Sequence, residues 1–152
     1  MIFIGQQTSN QQYRSSGMGI KVVYIEDNPQ NMRLVRKILG GAGHYVTEAT
    51  DGASGLEAII RERPALILMD VNLPDIDGLE LTQRIKADPT LSHIPVVALT
   101  ANAMYGDRER CMAAGCSGYI PKPVTKNLLL STVASYAPQP ATEPAVPDRA
   151  SS

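Results

Sequence analysis

The chain has 152 residues, with 14 Lys+Arg against 15 Asp+Glu and a formal net charge of −1. That balance lacks the electrostatic footprint of a general nucleic-acid or membrane-surface binder. The length suits one domain, and a fold of this size holds together without disulfides. Two cysteines, Cys111 and Cys116, are too few for a disulfide framework and fit a reducing, cytoplasmic compartment. No run of 18 apolar residues is present, so no bilayer span is expected. The opening MIFIGQQTSN also lacks the basic-then-apolar pattern of a secretory signal.

Residues 1–19 are rich in Gln, Ser, Asn and Gly and read as a disordered leader, either added or lying upstream of a natural start at Met18. The folded unit is expected over residues 20–136. Within it, Ile20–Ile25, Tyr45–Ala49, Ala65–Met69, Pro95–Leu99 and Gly118–Ile120 read as strands. The third and fourth are apolar nearly throughout, as parallel strands covered on both faces should be. Asn28–Pro29 marks the first helix start, with Met32, Val35, Ile38 and Leu39 on one face and Gly40–Gly41 stopping it. Leu56, Ile59 and Ile60 form a second stripe, closed before Pro64, and Leu81 and Ile85 a third, ending at Asp88–Pro89. Met104, Cys111 and Met112 are assigned to a fourth, closed by Gly115, and Leu128, Leu129 and Val133 to a fifth. Four prolines within residues 137–152 read as a flexible tail. Five strands alternating with five helices is an α/β pattern with right-handed crossovers.

In open parallel sheets function gathers at the carboxyl ends of the strands. Those ends carry Glu26–Asp27, then Asp70, then Thr100, then Lys122 just past the fifth strand. Crowded carboxylates repel, and a hard divalent cation with oxygen ligands, Mg²⁺, relieves the repulsion. A carboxylate beside Mg²⁺ and a lysine stays ionised and can attack phosphorus. Asp70 ends the most apolar strand, so it is the candidate nucleophile. Each residue alone has a plainer reading: strand-end Asp, helix-cap acid, β-branched strand residue, solvated lysine. Their combination is what carries the assignment.

The motifs VYIEDN, LILMDVNLPDIDG, VVALTA and GYIPKP, in that order, resemble the receiver domain of bacterial two-component response regulators, single-domain cell-fate regulators among them. The resemblance spans the whole folded unit. It implies a flavodoxin-like (βα)5 three-layer sandwich with strand order 2-1-3-4-5. It further implies that Asp70 takes a phosphoryl group from a histidine kinase or histidine phosphotransfer protein. Glu26, Asp27, Asp70 and the backbone carbonyl of Asn72 match the Mg²⁺ ligands, with Glu26 standing where many relatives have a second aspartate. Thr100 and Lys122 match the groups that contact the phosphoryl oxygens, and Tyr119 the aromatic that turns when the threonine moves. Phosphorylation is then expected to switch a surface of the fourth helix, fifth strand and fifth helix. That surface would serve a downstream protein target or a phosphorylation-dependent homodimer, without direct nucleic-acid or membrane binding.

Other readings differ in class. Haloacid-dehalogenase-type phosphatases also pair an Asp nucleophile with Mg²⁺, but their nucleophile follows the first strand and an acid–base Asp lies two residues on. Here that place holds Asn72, which cannot shuttle a proton. A degenerate scaffold would not need all five site positions. A stand-alone regulator is favoured over a receiver cut from a hybrid kinase. The Lys122–Pro123 bond is a candidate for the cis isomer. Cys111 and Cys116 are read as small buried residues, and His44 and His93 as loop residues without metal partners.

Overall fold

The computed structural model describes residues 19–137. The expected leader and tail lie outside them, apart from Gly19 and Ala137. Five strands form one parallel sheet in the order β2-β1-β3-β4-β5: β1 Lys21–Ile25, β2 Tyr45–Ala49, β3 Leu66–Asp70, β4 Val96–Thr100 and β5 Gly118–Pro121. The helices are α1 Pro29–Gly41, α2 Gly52–Glu62, α3 Gly78–Ala87, α4 Asp107–Ala114 and α5 Lys126–Ala134, with a 3-10 turn at Ala103–Tyr105. The strand order and the alternation match the expected α/β sandwich.

Side chains alternate across the strands and divide the core in two. Val22, Tyr24, Leu66, Leu68, Val97 and Leu99 pack with Met32, Val35 and Leu39 of α1 and Leu129 and Val133 of α5. On the other face Val23, Ile25, Ile67, Met69, Val96 and Ala98 meet Ile59 of α2, Leu81 and Ile85 of α3 and Cys111 of α4. With both faces covered, β3 and β4 are buried at every residue, which explains their continuous apolar runs.

The helix starts follow from their caps. Asn28 Oδ1 accepts from the N–H groups of Gln30 and Asn31, with Pro29 at the first helical position. Asp51 and Ser54 form a reciprocal capping box on α2. Asp77 caps α3 through the Leu79 N–H, whereas Asp75 bonds the N–H groups of Gly52 and Ala53 across the loop, at 2.7 and 3.0 Å. Asp75 thereby ties the β3–α3 loop to α2. Lys122–Pro123 is cis.

Four members of the helix stripes are corrected. Ile60 is 50% exposed, because Gly55 and Ala58 turn the inner face of α2 elsewhere. Met104 is 89% exposed in the 3-10 turn, before α4 begins, and Met112 is 50% exposed on the outer side of α4. Leu128 is also exposed, at 39%, leaving Leu129 and Val133 as the buried face of α5.

His44 is buried, and its Nδ1 accepts the Ile20 N–H at 3.1 Å. That bond requires a neutral ring, and burial lowers the His44 pKa below its ordinary value. With the folded pKa depressed, the unfolded chain takes up the proton first. The stability contributed by neutral His44 is therefore present above about pH 6.5 and lost as pH falls through the lower folded pKa. His44→Leu is expected to cost about 1–3 kcal/mol at pH 7.5, by orphaning the Ile20 N–H. It should also flatten the fall in urea midpoint between pH 7 and pH 5; an unchanged slope in the variant would contradict the assignment.

Candidate functional site: an acidic strand-end cluster with one lysine

The backbone ladder brings the site together. Glu26 N–H bonds Ala49 O at 2.9 Å, Val71 N–H bonds Leu99 O at 3.1 Å and Lys122 N–H bonds Thr100 O at 2.8 Å. Each residue is thus carried one step beyond its strand, onto the same sheet edge. A Cβ at Gly78 would collide with the carbonyl oxygen of Asp70, so only glycine lets α3 start this close beneath the β3 end.

Glu26 and Asp70 are buried, and Asp27 is exposed at the mouth. One carboxylate oxygen from each of the three lies within 4.8 Å of the others. Lys122 Nζ stands between the two buried acids, 3.1 Å from Asp70 Oδ1 and 3.2 Å from Glu26 Oε1. Asp70 Oδ1 also accepts the Asn72 N–H at 3.1 Å. Among the described residues no hydrogen bond falls on Asp70 Oδ2. Glu26 is held by the Tyr24 hydroxyl at 2.9 Å and the Asn28 N–H at 3.2 Å.

The electrostatics follow from three carboxylates against one ammonium. Burial, then the Glu26 charge, push Asp70 up to about 6, against the opposing pull of Lys122 and the Asn72 N–H. Burial alone would lower Lys122, but Asp70 and Glu26 outweigh it and hold the ammonium charged above its ordinary range. Burial, then Glu26, also raise Tyr24, so its phenol stays a donor.

Of the residues expected at the site, Glu26, Asp27, Asp70 and Lys122 converge. Asn72 sits beside Asp70 through its N–H. Thr100 ends β4, but its hydroxyl donates to Asp107 Oδ2 at 2.5 Å. Tyr119 is half-buried in β5, with the Arg108 guanidinium over its ring at 5.9 Å from the centroid. Sequence reasoning missed Tyr24 and Asp107. Tyr24 lies two residues before Glu26 in an extended segment, so a shared face was available as a signal. Asp107 follows a glycine at a helix start and carries no mark of its contact seven residues back.

A family model described as the response regulator receiver domain matches residues 22–134. The chain belongs to this family. Polar-differentiation response regulator DivK of Brucella anthropi is 43% identical over 115 residues, covering 76% of this chain and 94% of that protein. DivK of Brucella ovis is 42% identical over the same length, with the same coverage. The receiver domain of a sensor histidine kinase from Pseudomonas aeruginosa PAO1 superposes with a TM-score of 0.72 at 36% identity, covering 78% of this chain and 97% of that one. In that structure a magnesium ion is coordinated in the active site cleft. Chemotaxis response regulator CheY4 of Vibrio cholerae gives a TM-score of 0.73 at 26% identity, over 78% and 98% of the two chains. The chain is therefore a receiver domain of the two-component kind, similar to DivK, with an acidic cluster compatible with a divalent cation. No helix among the described residues is long and apolar enough to cross a membrane.

Because Asp70 is raised, keeping it ionised near neutral pH costs the folded state free energy. Asp70→Asn removes that charge and is expected to raise Tm by about 2–6 °C in EDTA at pH 7.5. Adding Mg²⁺ should raise the wild-type Tm more than that of the variant, and equal shifts in both would contradict a cation site that uses Asp70.

Proposed function

We propose that Asp70 accepts a phosphoryl group from the phosphohistidine of a histidine kinase or histidine phosphotransfer protein. The observation that carries this reading is the division of labour on its carboxylate. Oδ1 is anchored by Lys122 Nζ and the Asn72 N–H, while Oδ2 takes no hydrogen bond among the described residues. An anchored carboxylate with one oxygen left over is oriented for attack.

Oδ2 forms a bond to phosphorus as the bond from phosphorus to the donor imidazole nitrogen breaks. With the donor ring protonated at its other nitrogen, the products are an aspartyl phosphate (a mixed anhydride) and a neutral imidazole. Lys122 stays charged throughout and sits where it can neutralise the phosphoryl oxygens. The donor set fits Mg²⁺: three carboxylates with oxygens within 4.8 Å of one another and too little positive charge among them. Glu26, Asp27, Asp70 and the Asn72 carbonyl would hold the ion. Bound there, it supplies positive charge against the developing charge on the phosphoryl group.

In the same reading Thr100 turns its hydroxyl to a phosphoryl oxygen, and Tyr119 fills the space the threonine leaves. The surface of α4, β5 and α5 then changes its affinity for a downstream protein or for a second copy of the chain. The receiver unit is residues 20–136, acting in the cytoplasm, and its only chemistry is on its own Asp70.

Intact mass after incubation with acetyl phosphate and Mg²⁺ tests the assignment. The wild type is expected to gain one phosphoryl group, to fail to do so in EDTA, and Asp70→Asn to gain none. An equal gain in Asp70→Asn would move the acceptor elsewhere.

A further inference from the structure

The first turn of α4 touches both residues through which the proposed switch works. Thr100 Oγ1 accepts the Asn102 N–H at 3.0 Å and commits its single hydrogen to Asp107 Oδ2. Thr100 is 1% exposed and Asp107 5% exposed, so water does not compete for the bond. A hydroxyl-to-carboxylate bond of 2.5 Å belongs to the strong, charge-assisted kind. The other oxygen of Asp107 accepts from Arg110 at 2.7 Å, and Arg110 reaches on to Asp77, the cap of α3, at 3.2 Å. Between them Arg108 covers the Tyr119 ring. Gly106, at φ +98°, supplies the left-handed backbone that turns the chain from the 3-10 turn into α4.

We infer that Asp107 is a positioning residue: it holds the Thr100 hydroxyl in a resting orientation, in competition with a phosphoryl oxygen on Asp70. This rests on the phosphoacceptor reading of Asp70. One hydrogen cannot serve two acceptors, so Thr100 reaches the phosphoryl group only by leaving Asp107. Asp107 then loses one partner in a buried site and keeps Arg110 alone, which favours movement of the α4 first turn. Asp107, Arg108 and Arg110 share that turn, so a single bond broken at the end of β4 reaches Tyr119 and the cap of α3 together. The resting bond sets the threshold of the switch.

Beryllofluoride with Mg²⁺, a non-covalent stand-in for the phosphoryl group, tests this by calorimetric titration of the full chain. Asp107→Ala, Thr100→Ala and the double variant are compared with the wild type, with melting curves to establish folding. Asp107→Ala is expected to bind beryllofluoride about three- to tenfold more tightly, since the resting bond no longer competes. On the Thr100→Ala background the same substitution should change affinity by less than about 1.5-fold, because the coupled pair is already broken. Asp107→Asn keeps the shape, should shift affinity the same way by a smaller factor, and replaces the alanine variant if that fails to fold. Tightening that persists without Thr100 would overturn the inference, as would unchanged or weakened binding in a folded Asp107 variant while the wild type binds. A wild type that binds no beryllofluoride would instead overturn the phosphoacceptor reading, and this inference with it.

Discussion

Two buried carboxylates, Glu26 and Asp70, share one ammonium, Lys122, with Asp27 at the mouth as a third negative charge. Most of the site can be understood as the means of holding that imbalance in place. An ionised carboxylate taken from water without compensation is expensive, so each oxygen that is held has a donor. The Tyr24 hydroxyl and the Asn28 N–H serve Glu26; Lys122 and the Asn72 N–H serve Asp70. Among the described residues, Oδ2 of Asp70 and the excess negative charge remain unserved, and these are the features that a phosphoryl group and a divalent cation would answer on the proposed function.

The fold makes this arrangement affordable by putting the cost at one edge. The interiors of β3 and β4 are wholly apolar and buried on both faces. Polar residues enter only at the last position, Asp70 and Thr100, where the strands meet the loops. Register does the rest: Asp70 lies across from Leu99 and Thr100 across from Pro121, so consecutive strand ends rise as a staircase towards Lys122. The loops are fixed from outside the site, with Asp75 tied to the start of α2 and Gly78 packed against the Asp70 carbonyl.

Much of this was legible in the sequence because it depends on local pattern. Continuous apolar runs marked β3 and β4, Asn28–Pro29 marked the start of α1, and strand ends pointed to the acids, Thr100 and Lys122. The misplaced residues failed for a physical reason. Ile60, Met104, Met112 and Leu128 are apolar, and short stripes do not reveal which apolar residues reach the core; Gly55 lets α2 approach Ile25 closely, leaving Ile60 outside. The Thr100–Asp107 bond was illegible because the 3-10 turn and Gly106 intervene, and their geometry decides where Asp107 points. Tyr24 reads from the sequence as a strand residue, although its two-residue spacing to Glu26 holds the signal.

The chemistry of the site turns on Asp70, an ionisable group lifted by burial and by Glu26, a lift that a divalent cation would reverse. The most direct measurement is the titration of the Asp70 side-chain carbonyl carbon by NMR, with and without Mg²⁺, in the intact chain. The midpoint is expected well above the ordinary carboxylate range in EDTA, at about 6, with a marked fall on adding Mg²⁺. A midpoint near about 4 in EDTA, or one that Mg²⁺ does not move, would contradict it.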